Sequence, residues 1–353
     1  GYKVIHDKTI YDSSYNGAYG RSLVSVEKYL KKYPSIVLTL DVHRDAIHYD
    51  NGNKDRNLIS IDDLKAGILF GMKENLMIQY VLPDYELPED YLDVLESIDH
   101  SKIASFESVY SENADVVVLN GWDKEFVFDK DGIYVLRVDK QTLFEKYEEI
   151  VGVLKDCVRL NIVITDVETF TDTDFDTYKQ MLVVFAKELE TLYVEGKSPQ
   201  LNLLTDRMML DSMNNCNAGS ESITLAPDGK FYVCPAFYLA DENEDYGLGK
   251  SKCAVGSLAD GLDIKNPQLY KLSHAPLCRN CDAYQCKRCV WLNRKTTYEV
   301  NTPSHEQCVV AHLERNASRA LLMDIRKHGT FLPEKKGIKE ISYLDPFDVR
   351  KEW

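Results

Sequence analysis

The sequence predicts an α/β protein that carries a small cysteine-rich domain, and three observations lead to that prediction. From about residue 24 to 206, short β-rich apolar runs alternate with amphipathic stretches, as in parallel strands joined by crossover helices. The chain has 353 residues, 44% of them apolar, which is enough to bury a substantial core. Eight of the nine cysteines lie between positions 216 and 308. Any metal chemistry of these thiols is therefore expected in one region.

The predicted elements form a parallel strand-helix layer that resembles a partial or degenerate barrel. Strands are predicted at residues 35–40, 77–82, 102–105, 115–119, 134–138, 160–165 and 200–204. Helices are predicted at residues 61–75, after the cap-like Ser60, and at 89–98, 140–155 and 174–196.

Composition divides the chain into four segments. Residues 1–34 precede the first predicted strand and form an N-terminal arm, and residues 35–206 form the α/β domain. Residues 207–311 are richer in Gly, Pro, Asn and Cys, as expected where metal bonds replace an apolar core. Residues 312–353 are predicted to be a helix at 312–328 and a tail.

Charge and hydropathy exclude several partners. The chain has 42 basic and 57 acidic residues and a formal charge of -15, which repels nucleic acids and anionic membrane surfaces. No apolar run approaches the roughly 20 residues of a membrane helix, and the first residues lack the apolar stretch of a signal peptide. We expect a cytoplasmic protein, in which clustered cysteines serve as metal ligands rather than disulfides.

The cysteines form two groups with metal-ligand spacing. The first group is Cys216-x12-Gly229-x4-Cys234, in which Pro227-Asp228-Gly229 is a predicted hairpin turn. Paired C-x2-C steps allow two thiolates from one turn to reach the same metal. Spacing alone permits either zinc or an iron-sulfur cluster, and eight thiols would fill two four-ligand sites. The second group is Cys278-x2-Cys281-x4-Cys286-x2-Cys289, followed by Cys308.

This pattern resembles the SPASM domain, which follows the barrel of radical SAM peptide-modifying enzymes. The resemblance implies two auxiliary 4Fe-4S clusters, with Cys253 as a possible eighth ligand. The C-x4-C and C-x2-C steps are shorter than in the common SPASM pattern, so zinc stays open as the alternative. The implied ligands are Cys216, Cys234 and Cys289 for one cluster, and Cys278, Cys281, Cys286 and Cys308 for the other.

The sequence departs from radical SAM enzymes where they bind S-adenosylmethionine. After the first predicted strand, residues 41–50 contain no cysteine in place of C-x3-C-x2-C, and no cysteine precedes Cys157. After the second strand, residues 83–89 contain no Gly-Gly-Glu. We do not expect this chain to cleave S-adenosylmethionine on its own.

This combination resembles the CXXX repeat peptide maturases, a family that is similar to radical SAM/SPASM proteins but lacks the SAM-cluster motif. The resemblance rests on residues 61–70, 83–88, 227–235 and 286–293. It implies maturation of a ribosomally made, cysteine-rich precursor peptide beside a radical SAM partner enzyme. The alternative is a non-catalytic scaffold that zinc stabilises and that recognises a peptide or recruits a partner.

Two further features allow a functional or a plain interpretation. His43 and His48, with Asp41, Asp45 and Asp50, follow the first predicted strand, where α/β enzymes place binding residues. They are candidates for metal binding, peptide binding or hydrolysis, although polar surface loops have the same composition. Cys157 lies in an apolar run and is expected to be buried and inert.

Overall fold

The computed structural model describes residues 18–34, 60–74, 76–97, 100–210, 216–243, 253–283, 286, 289–335 and 338. Contacts divide the chain into two units, Gly1–Asp45 and Ala46–Trp353. In the first unit, helix α1 (Ala18–Lys32) ends in Lys31 and Lys32, whose positive charges interact favourably with the negative end of the helix dipole. The predicted strand at 35–40 and the loop with His43 and His48 lie outside the described residues.

The second unit confirms the predicted α/β class. Among its described residues, helices flank one mixed sheet, and the predicted strands from 77 to 204 each correspond to an observed strand. The helices are α2 (Ile61–Glu74), α3 (Glu89–Ser97), α4 (Lys140–Gly152), α5 (Asp172–Val194), α6 (Thr205–Met209), α7 (Pro235–Asn243), α8 (Val290–Thr297) and α9 (His305–Lys327). The strands are β1 (Met77–Val81), β2 (Ser101–Ser105), β3 (Val116–Asn120), β4 (Ile133–Val138), β5 (Arg159–Ile164), β6 (Gln200–Leu201), β7 (Ser222–Leu225), β8 (Lys230–Tyr232), β9 (Ala254–Ser257) and β10 (Gly261–Leu262).

The sheet has the order β10-β9-β8-β7-β1-β2-β3-β4-β5-β6. Strands β7 and β1 to β6 are mutually parallel, whereas β8, β9 and β10 continue the sheet through antiparallel pairs. The central strands β3, β4 and β5 are rich in Val, Ile and Leu, as expected for strands covered by crossover helices. Because β7 pairs with β1, the sheet extends from the α/β segment into the cysteine-rich segment.

Side-chain caps define where several helices begin. The Ser60 hydroxyl accepts the backbone N–H of Asp63 at 3.1 Å, as its place before α2 predicted. Asp139 accepts the N–H of Thr142 at 2.7 Å before α4. Thr171 and Asp174 form a reciprocal capping box, so α5 begins at Asp172 rather than at residue 174.

The hairpin between β7 and β8 has the predicted turn. Gly229 has φ 77°, a left-handed conformation that favours glycine, and its N–H donates to the Ala226 carbonyl at 2.9 Å. Asp228 supports the turn by accepting the N–H of Lys230 at 3.1 Å. The turn returns the chain along β8 and delivers Cys234 to the end of the strand.

The C-terminal helix begins earlier than predicted. It spans His305–Lys327, not 312–328, because Ser304 and Gln307 form a capping box. Its first turn is polar and does not extend the apolar periodicity on which the prediction rested. The correction places Cys308 inside the helix.

A buried polar network fixes α9 against the rest of the unit. Arg207, 1% exposed, pairs with Glu314 of α9 and donates to the carbonyls of Asn202 and Leu203 at 3.1 and 2.9 Å. Tyr178 of α5 donates to Glu314 at 2.6 Å. Since each of these charged and polar groups is buried with a partner, the network specifies one rotation of α9.

None of the described helices is long and apolar enough to cross a membrane.

Candidate metal centre

The structure brings Cys234 together with Cys216 and Cys289. The pKa of the Cys234 thiol is raised far above its usual range, first by burial and then by the negative charges of Cys289 and Cys216. The backbone N–H groups of Ala236 and Phe237 donate to the Cys234 sulfur and oppose that rise. Three thiols from distant parts of the sequence therefore share one electrostatic environment.

Cys253 belongs to the apolar cluster that adjoins this group. It is buried, at 8% exposure, in a core cluster that also contains Tyr232, Tyr238 and Trp291. Cys234 and Cys289 pack against the same cluster. The Tyr232 and Tyr238 rings meet edge to face at 5.3 Å between centroids, so these aromatic side chains serve as packing.

A second group contains Cys281 and Cys286 and follows Cys278 in the chain. The N–H of Cys281 donates to the Cys278 carbonyl at 3.0 Å, and the N–H of Cys286 donates to the Ala283 carbonyl at 3.1 Å. These tight turns bring Cys281 near Cys286. The pKa of Cys281 is raised to about 11, mainly by burial and further by the charges of Cys286 and Asp282. The Ala283 N–H, 3.4 Å from the sulfur, and Arg315 lower it.

Helix α9 borders the second group with a face that the sequence reading missed. This face contains Cys308, His312 and Arg315. His312 follows Cys308 by four residues and Arg315 follows His312 by three, which are the spacings of neighbours on one helical face. His312 Nε2 lies 3.7 Å from the Cys281 sulfur and 3.9 Å from Asp282 Oδ1. Arg315 pairs with Asp282 through its other carboxylate oxygen. The C-x3-H step at Cys308 and His312 was the available signal, because it places both side chains on one helical face.

Cysteines of both thiol groups lie at or beside helix N-termini. Cys234 directly precedes α7, Cys289 is the N-cap residue of α8, and Cys308 lies in the first turns of α9. Partial positive charge at a helix N-terminus stabilises thiolates and other anions. The donor set of both groups thus fits a cofactor that is held by several thiolates and carries net negative charge.

Helix α8 also connects the first thiol group to the carboxyl edge of the parallel strands. Lys295 of α8 donates to the carbonyl of Thr165, the residue after β5, and pairs with Glu168 at 2.9 Å. Arg137 of β4 lies over the Trp291 ring at 5.5 Å. This is the edge at which open α/β sheets bind ligands. One short helix therefore links Cys289 to the expected ligand edge.

Cys157 is separate from both groups. It is 6% exposed and belongs to the core cluster of the α/β layer. Burial, with a contribution from Asp156, raises its pKa to about 11. These features agree with an inert core thiol.

Comparisons with known proteins identify the fold. A solved structure, "His6 tagged anSMEcpe with bound AdoMet", matches with a TM-score of 0.50 and 12% identity, covering 80% of this chain and 91% of that chain. The chain has a radical SAM-like fold. "Native anSMEcpe with bound AdoMet" matches with a TM-score of 0.48 and 11% identity, covering 80% and 94%.

Sequence comparisons assign no family. The family model "Stage II sporulation protein P (SpoIIP)" matches residues 1–70, which is well under half of the chain. No curated protein matches the sequence. The match agrees with the predicted α/β fold class, and at 12% identity it supports the fold alone.

Proposed function

We propose that this protein holds two 4Fe-4S clusters and binds a cysteine-rich, ribosomally made precursor peptide, which it presents to a radical SAM partner enzyme. One observation carries the proposal: Cys234 shares its environment with both Cys216 and Cys289, whose positions span 73 residues of the sequence. Burial and two neighbouring thiols raise the pKa of Cys234, so its thiolate is costly without a cation, and a metal centre removes that cost.

The ligand sets follow the same grouping. Cys216, Cys234 and Cys289 hold the first cluster, and Cys278, Cys281, Cys286 and Cys308 hold the second. Such clusters supply electron transfer, or a coordination position for a substrate thiolate. This chain's own residues bind and orient the peptide. Without C-x3-C-x2-C, cleavage of S-adenosylmethionine falls to the partner, within a CXXX repeat peptide maturase system.

Cys253 decides whether the first cluster has an open position. Its place in the apolar cluster beside Cys234 and Cys289 supports a role as fourth ligand. If it is not a ligand, a cysteine of the peptide occupies that position. A Cys253→Ala variant that keeps its iron and binds a synthetic Cys-x-x-x repeat peptide as tightly as the wild type supports the open position, whereas loss of iron assigns Cys253 as ligand.

The peptide is proposed to bind at the carboxyl edge of the sheet, beside α8. Arg137 of β4 and Lys295 of α8 offer cationic groups there, and both lie over the ring of the buried Trp291, two residues from Cys289. Fluorescence anisotropy with the labelled repeat peptide tests this placement. Arg137→Ala should weaken binding at least several-fold, and Arg319→Ala, twelve residues along α9 from the Gln307 that contacts α8, is the control.

Ligand variants test the cluster assignment. Cys234→Ala should lose roughly half of the iron, about four atoms, and Cys286→Ala the other half. Cys157→Ala is the matched control and should retain all of it. Cys234→Ala should also abolish peptide binding, because the first cluster adjoins the ligand edge. Peptide binding that survives complete loss of that cluster contradicts the proposal.

A zinc-stabilised scaffold is the second candidate, and one observation favours it. The ligand atoms of Cys281, Asp282 and His312 lie within 4.8 Å of one another. Two ligands at zinc-sulfur and zinc-nitrogen distances with a tetrahedral angle lie about 3.6 Å apart, close to the 3.7 Å between Cys281 and His312. Zinc and iron analysis of the purified chain separates the two candidates.

A further inference from the structure

His312 lies against the second thiol group in a buried polar cluster. Its Nε2 atom is 3.7 Å from the sulfur of Cys281 and 3.9 Å from Oδ1 of Asp282. His312 is 6% exposed and Asp282 is 3% exposed. Both groups are therefore shielded from solvent. In such an interior, polar interactions are stronger than in water.

The surrounding residues fix the position of this imidazole. Arg315, one turn further along α9, pairs with Oδ2 of Asp282 and is itself 5% exposed. The same helix is also fixed two residues further on, where Glu314 pairs with Arg207 and accepts a hydrogen bond from Tyr178. Rotation of α9 would break both ion pairs, so the side chain of His312 is held at the Cys281 sulfur.

The neighbours of Nε2 determine its role. A cluster-bound cysteine is a thiolate, and the second neighbour is a carboxylate, so both groups facing Nε2 are acceptors. Two acceptors at Nε2 favour the tautomer that carries its proton on that atom, 3.7 Å from the Cys281 sulfur. In the ligand set proposed above, four thiols fill the four ligand positions of the second cluster, which gives His312 the role of a donor rather than a ligand.

We propose that His312 donates a hydrogen bond from Nε2 to the sulfur of Cys281 and thereby raises the reduction potential of the second cluster. This inference rests on the proposed function, since it requires that cluster. Reduction adds one electron to the cluster, and a hydrogen bond to a ligand sulfur stabilises the added negative charge. His312 is a positioning and tuning residue, and its removal should change the potential without removing the cluster.

The test is an anaerobic redox titration of the full chain, followed by EPR. His312→Ala should keep the iron content of the wild type, while the midpoint potential of one cluster becomes more negative. A tenfold change in the ratio of oxidised to reduced cluster corresponds to about 59 mV for one electron. His312→Gln retains an N–H donor and should recover most of the shift. His328→Ala, at the exposed far end of α9, is the matched control and should titrate as the wild type does.

A second measurement covers the case in which His312→Ala loses iron or fails to fold. Wild type labelled with 15N-histidine should show a nitrogen coupling to the reduced second cluster in pulsed EPR, and labelled His312→Gln should lack it. Two results would overturn this inference and leave the proposed function standing. One is an unchanged midpoint potential in both variants with iron retained, and the other is a nitrogen coupling that persists in His312→Gln. Zinc without iron in the wild type would instead overturn the proposed function.

Discussion

Removing Arg207 should destabilise the protein far more than removing both members of its buried pair. The guanidinium is 1% exposed, pairs with Glu314 and donates to two backbone carbonyls at 3.1 and 2.9 Å. Arg207→Met leaves the buried carboxylate of Glu314 without its cation. Breaking one side of a buried ion pair costs about 3–5 kcal/mol, a large share of the 5–15 kcal/mol by which domains are typically stable.

The double variant isolates the electrostatic part of that cost. Arg207→Met with Glu314→Gln replaces the pair by an apolar and a neutral side chain, and Gln can still accept from Tyr178. Replacing a buried ion pair by well-packed residues is often close to neutral. The double variant should therefore regain at least about half of the stability that the single variant loses.

Urea unfolding of the anaerobic protein, followed by circular dichroism, measures both variants. Lys146→Met, which removes an exposed pair with Glu149, is the control and should cost less than about 1 kcal/mol. Because α9 carries Cys308 and His312, Arg207→Met should also lose iron faster in chelator. A loss below about 1 kcal/mol in Arg207→Met, or equal losses in the single and double variants, would refute this account of α9 docking.

Three smaller predictions concern single residues. Thr171→Ala removes the capping box of α5 and should cost about 1 kcal/mol in urea unfolding, whereas Thr173→Ala, exposed in the first turn, should cost almost nothing. Gly256→Ala should cost at least about 1–3 kcal/mol, because φ is 135° and the new Cβ would lie 2.1 Å from the Gly261 carbonyl oxygen; an unchanged urea midpoint would contradict this. Cys157 has a folded pKa raised to about 11, so its neutral form favours folding, and that contribution is complete below the unfolded pKa and is lost as pH rises towards 11. Cys157→Ala should therefore lose less stability than the wild type between pH 8 and pH 10.5, and equal losses would argue against the raised pKa.

Local signals predicted the α/β layer well. Ser60 before α2 and the Pro227-Asp228-Gly229 turn between β7 and β8 act through neighbouring backbone groups, so the sequence reveals them directly. The start of α9 was missed because its first turn, from His305 to Gln307, is polar. Ser304 and Gln307 held the missing signal, since a capping box is a local feature as well.

Long-range pairing was beyond the reach of sequence patterns. The parallel pairing of β7 with β1 joins residues 222–225 to residues 77–80, and no local pattern specifies which strands become neighbours. In the sequence, Asp282 is indistinguishable from an ordinary polar loop residue, because its ion pair forms with Arg315 of α9, a separate element. The domain boundaries and the ligand assignment stay predictions, while the fold class is confirmed.

The most direct test of the central claim is the metal content of the anaerobically purified chain. Iron, acid-labile sulfide and zinc should be measured per chain, together with the EPR spectrum of the reduced form. The account predicts roughly eight irons with matching sulfide and signals from two 4Fe-4S clusters. One or two zinc ions without iron would contradict it and leave the cysteine-rich segment as a structural scaffold.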